Sequence, residues 1–115
     1  HAHNRLITSF VLTADDRRAL AREIAAKLST AIGPVALFRP THGCNEWDRA
    51  GAPLADAEGL AAFCDEVRKT CPPNVALKEL DCHINDDAFC TAVLAQFDDW
   101  LATGVVARPA VTAPA

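Results

Sequence analysis

The chain has 115 residues, half of them apolar, and a formal net charge of −4. This length allows one domain at most, with a modest core. The acidic balance and the scattered basic residues disfavour nucleic acid as a partner, and no apolar run approaches the ~20 residues that cross a bilayer.

The first predicted unit is a strand followed by a helix. Residues 6–12 are rich in β-formers and predict a strand. Thr13 then has the character of an N-cap, with acidic residues in the turn that follows. Apolar residues recur at a spacing of four from Leu20 to Leu28, which predicts an amphipathic helix, and Gly33 begins the segment that ends it.

The second predicted unit begins with residues 35–38, a short apolar run that is typical of a strand buried on both faces of a parallel sheet. Residues 40–55 contain several Pro and Gly residues and predict a long loop. Asp56 is the predicted cap of the next helix, in which Cys64 is expected to be a small buried thiol.

The third predicted unit is a strand over residues 75–80 and a helix capped by Asn85 or Asp86. Gly104 ends this helix, and residues 103–115 are rich in Ala, Val and Pro and predict a disordered tail. The predicted buried face of the helix consists of Phe89, Cys90, Val93, Leu94, Phe97, Trp100 and Leu101.

The resulting order over residues 1–102 is β-α-β-α-β-α, which predicts an α/β fold with a three-layer, Rossmann-like parallel sheet. Three parallel strands are few for such a sheet. We therefore expect the chain to be incomplete by itself. Its partner is either an N-terminal lobe of the same parent protein or a second copy in a homo-oligomer. One functional alternative is therefore a protein-interaction domain that completes its sheet with such a partner.

Ligands of open parallel sheets bind at the carboxyl ends of the strands, so the second and third strand-to-helix loops are the candidate sites. The second loop is long, and Gly43 and Gly51 would permit close approach of a ligand to the backbone. Asn45 and Asp48 would supply hydrogen bonds. The alternative is a surface loop whose tryptophan packs on a neighbouring domain.

The third loop places His83 just past its strand and Asn85 at a helix N-terminus, which is a natural position for an anion. One interpretation makes both residues ligand contacts. A second makes His83 a catalytic acid or base that Asp48 orients. The structural alternative is that Asn85 only caps the helix and His83 only holds a hydrogen bond.

Metal and thiol chemistry are weaker interpretations of the same edge. His42, Cys44, Cys82 and His83 could lie together, but their spacings do not match those of zinc sites, and we predict no metal. A nucleophilic pair of Cys44 and His83 is conceivable. The five cysteines follow no disulfide pattern, so we expect a reducing, cytoplasmic environment.

The two loops resemble those of the Tm-one-like ATP-binding domain family. Residues 83–89 are similar to the family's His-Ile-Asn-Asp-Pro-x-Phe, with Asp87 in place of Pro. The second loop is similar to its Gly-x-Ser-x-x-Asp-x-x-Gly-x-Pro-Phe-x-Asp-x-Glu, with Asn45 for Ser and Leu54 for Phe. The matching residues of that loop are Gly43, Asp48, Gly51, Pro53, Asp56 and Glu58.

This resemblance implies a two-lobed protein of which the chain is the C-terminal lobe. It also implies binding of ATP or another nucleotide in a cleft between the lobes, with the two loops as one wall. On this interpretation the ligand-binding residues are Gly43, Asn45, Asp48, Gly51, His83 and Asn85.

Overall fold

A computed structural model describes residues 2, 4–6, 8–107 and 110 of the chain. Three helices alternate with two strands in this part of the protein, so the fold is α/β as predicted. The elements are α1 (Ala14–Ser29), β1 (Val35–Pro40), α2 (Ala57–Thr70), β2 (Val75–Leu80) and α3 (Asp87–Ala102).

The two strands pair in parallel, in register from Val35 opposite Val75 to Pro40 opposite Leu80. Parallel pairing brings the carboxyl ends of both strands to one edge of the sheet, so the loops that follow them lie side by side. The arrangement is that of an incomplete Rossmann-like half-domain.

Helices α1 and α2 pack against each other on one face of the sheet. Thr13 and Asp16 form a capping box that starts α1, and Asp56 caps α2. The Arg17 guanidinium lies 3.2 Å from the Asp56 carboxylate and so ties the start of α1 to the start of α2. The buried apolar side chains of this core are Ala21, Ala62, Cys64, Val67, Val75 and Cys82.

Helix α3 lies on the opposite face. Side chains along a strand point alternately to the two faces of a sheet. Arg39 shares a groove with residues of α2, whereas the preceding residue, Phe38, shares a groove with residues of α3. The sheet therefore separates α3 from the other two helices, which confirms the three-layer arrangement.

The predicted buried face of α3 is wrong in part. None of the residues of α3 is buried, and Val93, Leu94 and Phe97 are 36%, 60% and 47% exposed. Cys90, predicted as a buried thiol, is also exposed, whereas Cys64 is buried as expected. The reason is that one sheet offers cover to only one side of a helix, and α3 has apolar side chains on two sides.

The predicted strand at residues 6–12 is also wrong for the residues described there. They hold one isolated antiparallel bridge, between Ala2 and Thr8, and Leu6 and Phe10 are 95% and 76% exposed. A strand needs a partner strand and apolar cover, and β-forming side chains alone supply neither. Ile7 lies outside the described residues.

The predicted disordered tail, residues 103–115, lies mostly outside the described residues, which after 107 include only residue 110. Helix α3 ends just before it, at Ala102. Within the described part of the chain, no helix has both the length and the apolar composition that a bilayer crossing requires.

Candidate functional site

Two loops meet at the carboxyl edge of the sheet: the β1–α2 loop (residues 41–56) and the β2–α3 loop (residues 81–86). Backbone pairing continues from the strands into both loops, so their paths are fixed relative to each other. Three hydrogen bonds carry it: Thr41 N–H to Leu80 O (2.9 Å), His42 N–H to Cys82 O (3.0 Å) and Ile84 N–H to Gly43 O (3.1 Å).

His83 is fully buried between the two loops, with no exposed side-chain surface. Its Nε2 lies 2.9 Å from Asp48 Oδ1 and 3.0 Å from the carbonyl oxygen of Asn45. Its Nδ1 lies 3.1 Å from the backbone nitrogen of Asn85. Both ring nitrogens are therefore engaged by protein atoms.

These partners determine where the imidazole proton lies. The backbone N–H of Asn85 can only donate, so Nδ1 of His83 accepts and carries no proton. The Asp48 carboxylate and the Asn45 carbonyl only accept, so Nε2 carries the proton and donates to both. We assign the neutral Nε2–H tautomer on this basis.

Asp48 holds the β1–α2 loop in shape with its second oxygen. Oδ2 accepts the backbone N–H groups of Cys44, at 2.7 Å, and Asn45, at 3.2 Å. The carboxylate therefore caps its own loop while it binds His83 from the other.

Desolvation, followed by the Asp48 charge, raises the pKa of the Cys44 thiol, which lowers its thiolate population and disfavours a nucleophilic Cys44–His83 pair.

Gly43 makes the close approach of these groups possible. Its φ is +128°, a backbone conformation that favours glycine. A Cβ at this position would lie 2.2 Å from Asp48 Oδ1 and 2.8 Å from His83 Cδ2. The space beside Gly43 is thus filled by the protein's own side chains.

Two further contacts join the loops at their outer side. Arg49 Nη2 lies 2.9 Å from Asp86 Oδ1, and the Asn85 amide donates to Glu46 Oε2 at 2.8 Å. Asp86 precedes α3 as its N-cap but makes no side-chain hydrogen bond to that helix. Instead its carboxylate accepts the backbone N–H of His83 at 2.8 Å. This hydrogen bond, with the Arg49 contact second, lowers the pKa of Asp86.

A cavity of about 400 Å³ lies beside this network, between the β1–α2 loop and the start of α2. Asp48 forms part of its wall, so the cavity is in direct contact with the joined loops. Asp48 also lines a smaller cavity of about 240 Å³ toward α1. The larger cavity is lined by His42, Asp48, Arg49, Ala50, Ala55, Asp56, Ala57 and Leu60.

Most of the site residues suggested by the sequence come together. Gly43, Asn45, Asp48, His83 and Asn85 form one connected group at the loop junction. Gly51 instead has a φ of +83° in a turn closed by the Ala52 N–H and the Arg49 carbonyl, and open space surrounds it.

Sequence reasoning missed Arg49, which contacts Asp86 and lines the larger cavity. The only signal was its place in the loop, directly after Asp48, and that spacing carries no recognisable pattern. The sequence suggests His42 only as a metal ligand, whereas the structure places it in the wall of the larger cavity with its Nε2 2.8 Å from Asp81 Oδ1. Among the described residues, no group of three or more His, Cys, Asp or Glu side chains is arranged to hold a metal ion.

Comparison with known proteins identifies the family. The model of the C-terminal domain of an uncharacterised protein family, UPF0261, matches residues 1–101. The chain belongs to the UPF0261 family. It is 48% identical over 108 residues to a UPF0261 protein of Brucella melitensis, which covers 94% of this chain and 26% of the relative.

Further UPF0261 proteins show the same partial coverage. One from Brucella suis is 47% identical over 108 residues, again 94% of this chain and 26% of the relative. One from Mesorhizobium japonicum is 32% identical over 100 residues, which are 85% of this chain and 25% of the relative. The chain thus spans about a quarter of the length of the curated relatives that it matches.

These matches correct the family assignment made from the loop motifs. The family shown is UPF0261, and not the Tm-one-like ATP-binding domain family. The ATP-binding label came with that resemblance alone and falls with it. Short motifs of Gly, Asn, Asp and His describe how two loops fold together, as the contacts of Gly43, Asp48 and His83 illustrate, and such motifs do not specify a ligand.

Three glycines allow a graded test of the loop geometry. We expect Gly43→Ala to lower the free energy of unfolding by about 3 kcal/mol, because it combines strained backbone with overlap on Asp48 and His83. Gly51→Ala, strained but in open space, should cost about 1 kcal/mol. Gly33→Ala introduces neither backbone strain nor overlap, so it should be neutral or stabilising by about 0.5 kcal/mol. Urea denaturation measures all three, and equal effects at Gly43 and Gly51 would contradict the overlap.

The lowered pKa of Asp86 predicts a pH dependence of stability. Because folding lowers this pKa, the contribution of Asp86 is present above its unfolded pKa of about 3.9 and is lost as the pH falls through the folded value. Asp86→Asn should therefore destabilise the protein at pH 7, and the difference from wild type should shrink toward pH 3. Denaturation across this range checks it, with Asp98→Asn on exposed α3 as the control; a difference constant with pH contradicts it.

Proposed function

We propose that this chain supplies a ligand-binding surface of a UPF0261 protein, and that the ligand is a small polar metabolite bound in the 400 Å³ cavity beside the joined loops. The observation that carries the proposal is the buried contact of His83 with Asp48, which fixes the wall of that cavity. A cavity of this volume is within the usual range of about 300–1,000 Å³ for ligand sites.

The position of the cavity supports the proposal. It lies at the carboxyl edge of parallel strands, where open α/β sheets bind their ligands. The β1–α2 loop lines it together with the start of α2, and this loop is held to the β2–α3 loop by hydrogen bonds and an ion pair between Arg49 and Asp86. Little conformational freedom therefore remains to be lost on binding. Pre-organised walls of this kind favour a specific ligand.

The side chains at the cavity suggest the chemistry of the ligand. The Arg49 side chain is 44% exposed, and its guanidinium has further N–H donors besides the Nη2 that pairs with Asp86. The His42 side chain is 57% exposed, and its Nε2 lies 2.8 Å from Asp81 Oδ1. Asp48 and Asp56 supply acceptors on the same wall. We therefore propose a ligand with acceptor oxygens toward Arg49 and donor groups toward the carboxylates.

The catalytic alternative, with His83 as acid or base, stays a prediction without a specific observation in its favour. A general acid or base must reach the proton that it transfers. Both nitrogens of His83 instead contact Asp48, Asn45 and Asn85, and the ring is fully buried. A cytoplasmic location likewise stays a prediction.

Nuclear magnetic resonance can test the binding proposal. We would titrate the ¹⁵N-labelled chain with a panel of sugar phosphates, dicarboxylic acids and amino acids. We expect at least one compound to shift the amide signals of residues 42–57 in a saturable manner, because these residues surround the cavity. Arg49→Ala should weaken that binding at least tenfold while the rest of the spectrum is retained.

Arg18→Ala is the matched control for the loss of an exposed arginine, since Arg18 pairs with Asp15 on α1, away from the cavity. It should leave the affinity unchanged. Saturable shifts that map elsewhere in the chain, or equal affinities for wild type and Arg49→Ala, would contradict the proposed site.

A further inference from the structure

Helix α3 is apolar on two sides, and within the part of the chain that the structure describes only one of them faces the sheet. The inner side, with Ala92 and Gln96, faces Phe38 of the sheet across a groove of about 350 Å³. Four other apolar side chains of the helix are exposed. We call this exposed surface, formed by Cys90, Val93, Leu94 and Phe97, the outer α3 face. Helices that are apolar all round are normally buried on all sides.

We propose that the outer α3 face binds the remaining part of a UPF0261 chain. The matched relatives are about four times as long as the segment they share with this chain. In the relative from Brucella melitensis that segment is 26% of the whole length. Such a protein contains enough additional chain to cover this face. The proposal concerns a surface separate from the cavity and does not depend on the proposed ligand.

The sheet supports the need for additional cover. Among the described residues it has only β1 and β2, so each strand has one unpaired edge. Parallel sheets occur almost exclusively with both faces covered. On the α3 side the groove beside Phe38 and Leu80 remains open. On the α3 side of the molecule, both this groove and the outer α3 face are therefore open to further packing.

The charge of α3 distinguishes this partner from a second copy. The helix contains three acidic residues and no Lys, Arg or His. Pairing of two α3 helices would therefore bring like charges together in either orientation, which costs free energy. A complementary surface is apolar with Lys or Arg at its rim. Asp87 and Asp98 lie at the edge of the outer α3 face, at helical spacings of three and four residues from Cys90 and Leu94, whereas Asp99 lines the groove toward the sheet.

Cys90 provides a direct readout of the outer α3 face. In the 115-residue chain it is exposed, so iodoacetamide should alkylate it readily. The comparison protein is a full-length chimera in which this chain replaces the matching segment of the Brucella melitensis relative, with which it is 48% identical. We expect alkylation of Cys90, followed by peptide mass spectrometry, to be at least tenfold slower in the chimera.

Two variants of the chimera link that protection to the proposed contact. The double change Leu94→Asp and Phe97→Asp should restore fast alkylation of Cys90, because it places charge in the apolar face. Ile32→Asp is the matched control, because Ile32 is an exposed apolar residue that lies in the connection between α1 and β1. It should leave Cys90 protected. Circular dichroism checks that α3 remains folded, and Leu94→Gln replaces the double variant if it does not.

Three results would overturn the proposal. The first is equally fast alkylation of Cys90 in the chimera and in the 115-residue chain. The second is protection that persists in the variants altered at Leu94 and Phe97. The third is a homodimer of the 115-residue chain, seen by light scattering, that protects Cys90 and dissociates in those variants, which would assign the face to a second copy. None of these results bears on ligand binding at Arg49, so the two proposals fail independently.

Discussion

The arrangement of the two loops at the carboxyl edge of the sheet depends on the hydrogen bonds of the His83 imidazole. It lies fully buried, accepts a hydrogen bond from one loop's backbone, and donates to a carboxylate and a carbonyl of the other. A buried polar group of this kind is costly unless every donor and acceptor is satisfied. Here they are satisfied, so the histidine stabilises one arrangement of the two loops over alternatives that would leave it unpaired.

The surrounding residues follow from that contact. Asp48 can reach His83 only because Gly43 has no side chain, and the same carboxylate holds the backbone of its own loop. Asp86 receives the N–H of His83 and binds Arg49, so the ion pair at the outer side is coupled to the buried centre. The polar motif of these loops is therefore a structural unit first, and the cavity beside it is a consequence.

Much of the fold could be predicted because its signals are local. Thr13 and Asp56 cap helices through residues only three positions away, and Pro72 directly follows the C-cap of α2. The segment at residues 6–12 and the outer side of α3 could not be predicted in this way. Their burial depends on neighbours distant in sequence, and about three quarters of each matched relative lies outside the segment that it shares with this chain.

The sequence predicted which residues form the candidate site, but not what each of them contacts. The loop pattern brought Asp48, His83 and Asn85 together correctly, because strand order determines which loops meet. It could not show that Nδ1 and Nε2 of His83 both contact the protein, or that Arg49 faces the cavity. The family resemblance was wrong for a related reason. Loop motifs of this kind reflect contacts inside the protein, whereas the match that shows the family extends over residues 1–101.

The most direct measurement is a double-mutant cycle on His83 and Asp48, read as free energy of unfolding. Each single change, His83→Ala or Asp48→Ala, leaves a buried polar partner unsatisfied and should cost about 2–4 kcal/mol. The double variant should cost less than the sum of the two, with a coupling energy of about 1.5 kcal/mol or more. Single variants as stable as wild type, or strictly additive losses, would contradict a structural role for the contact.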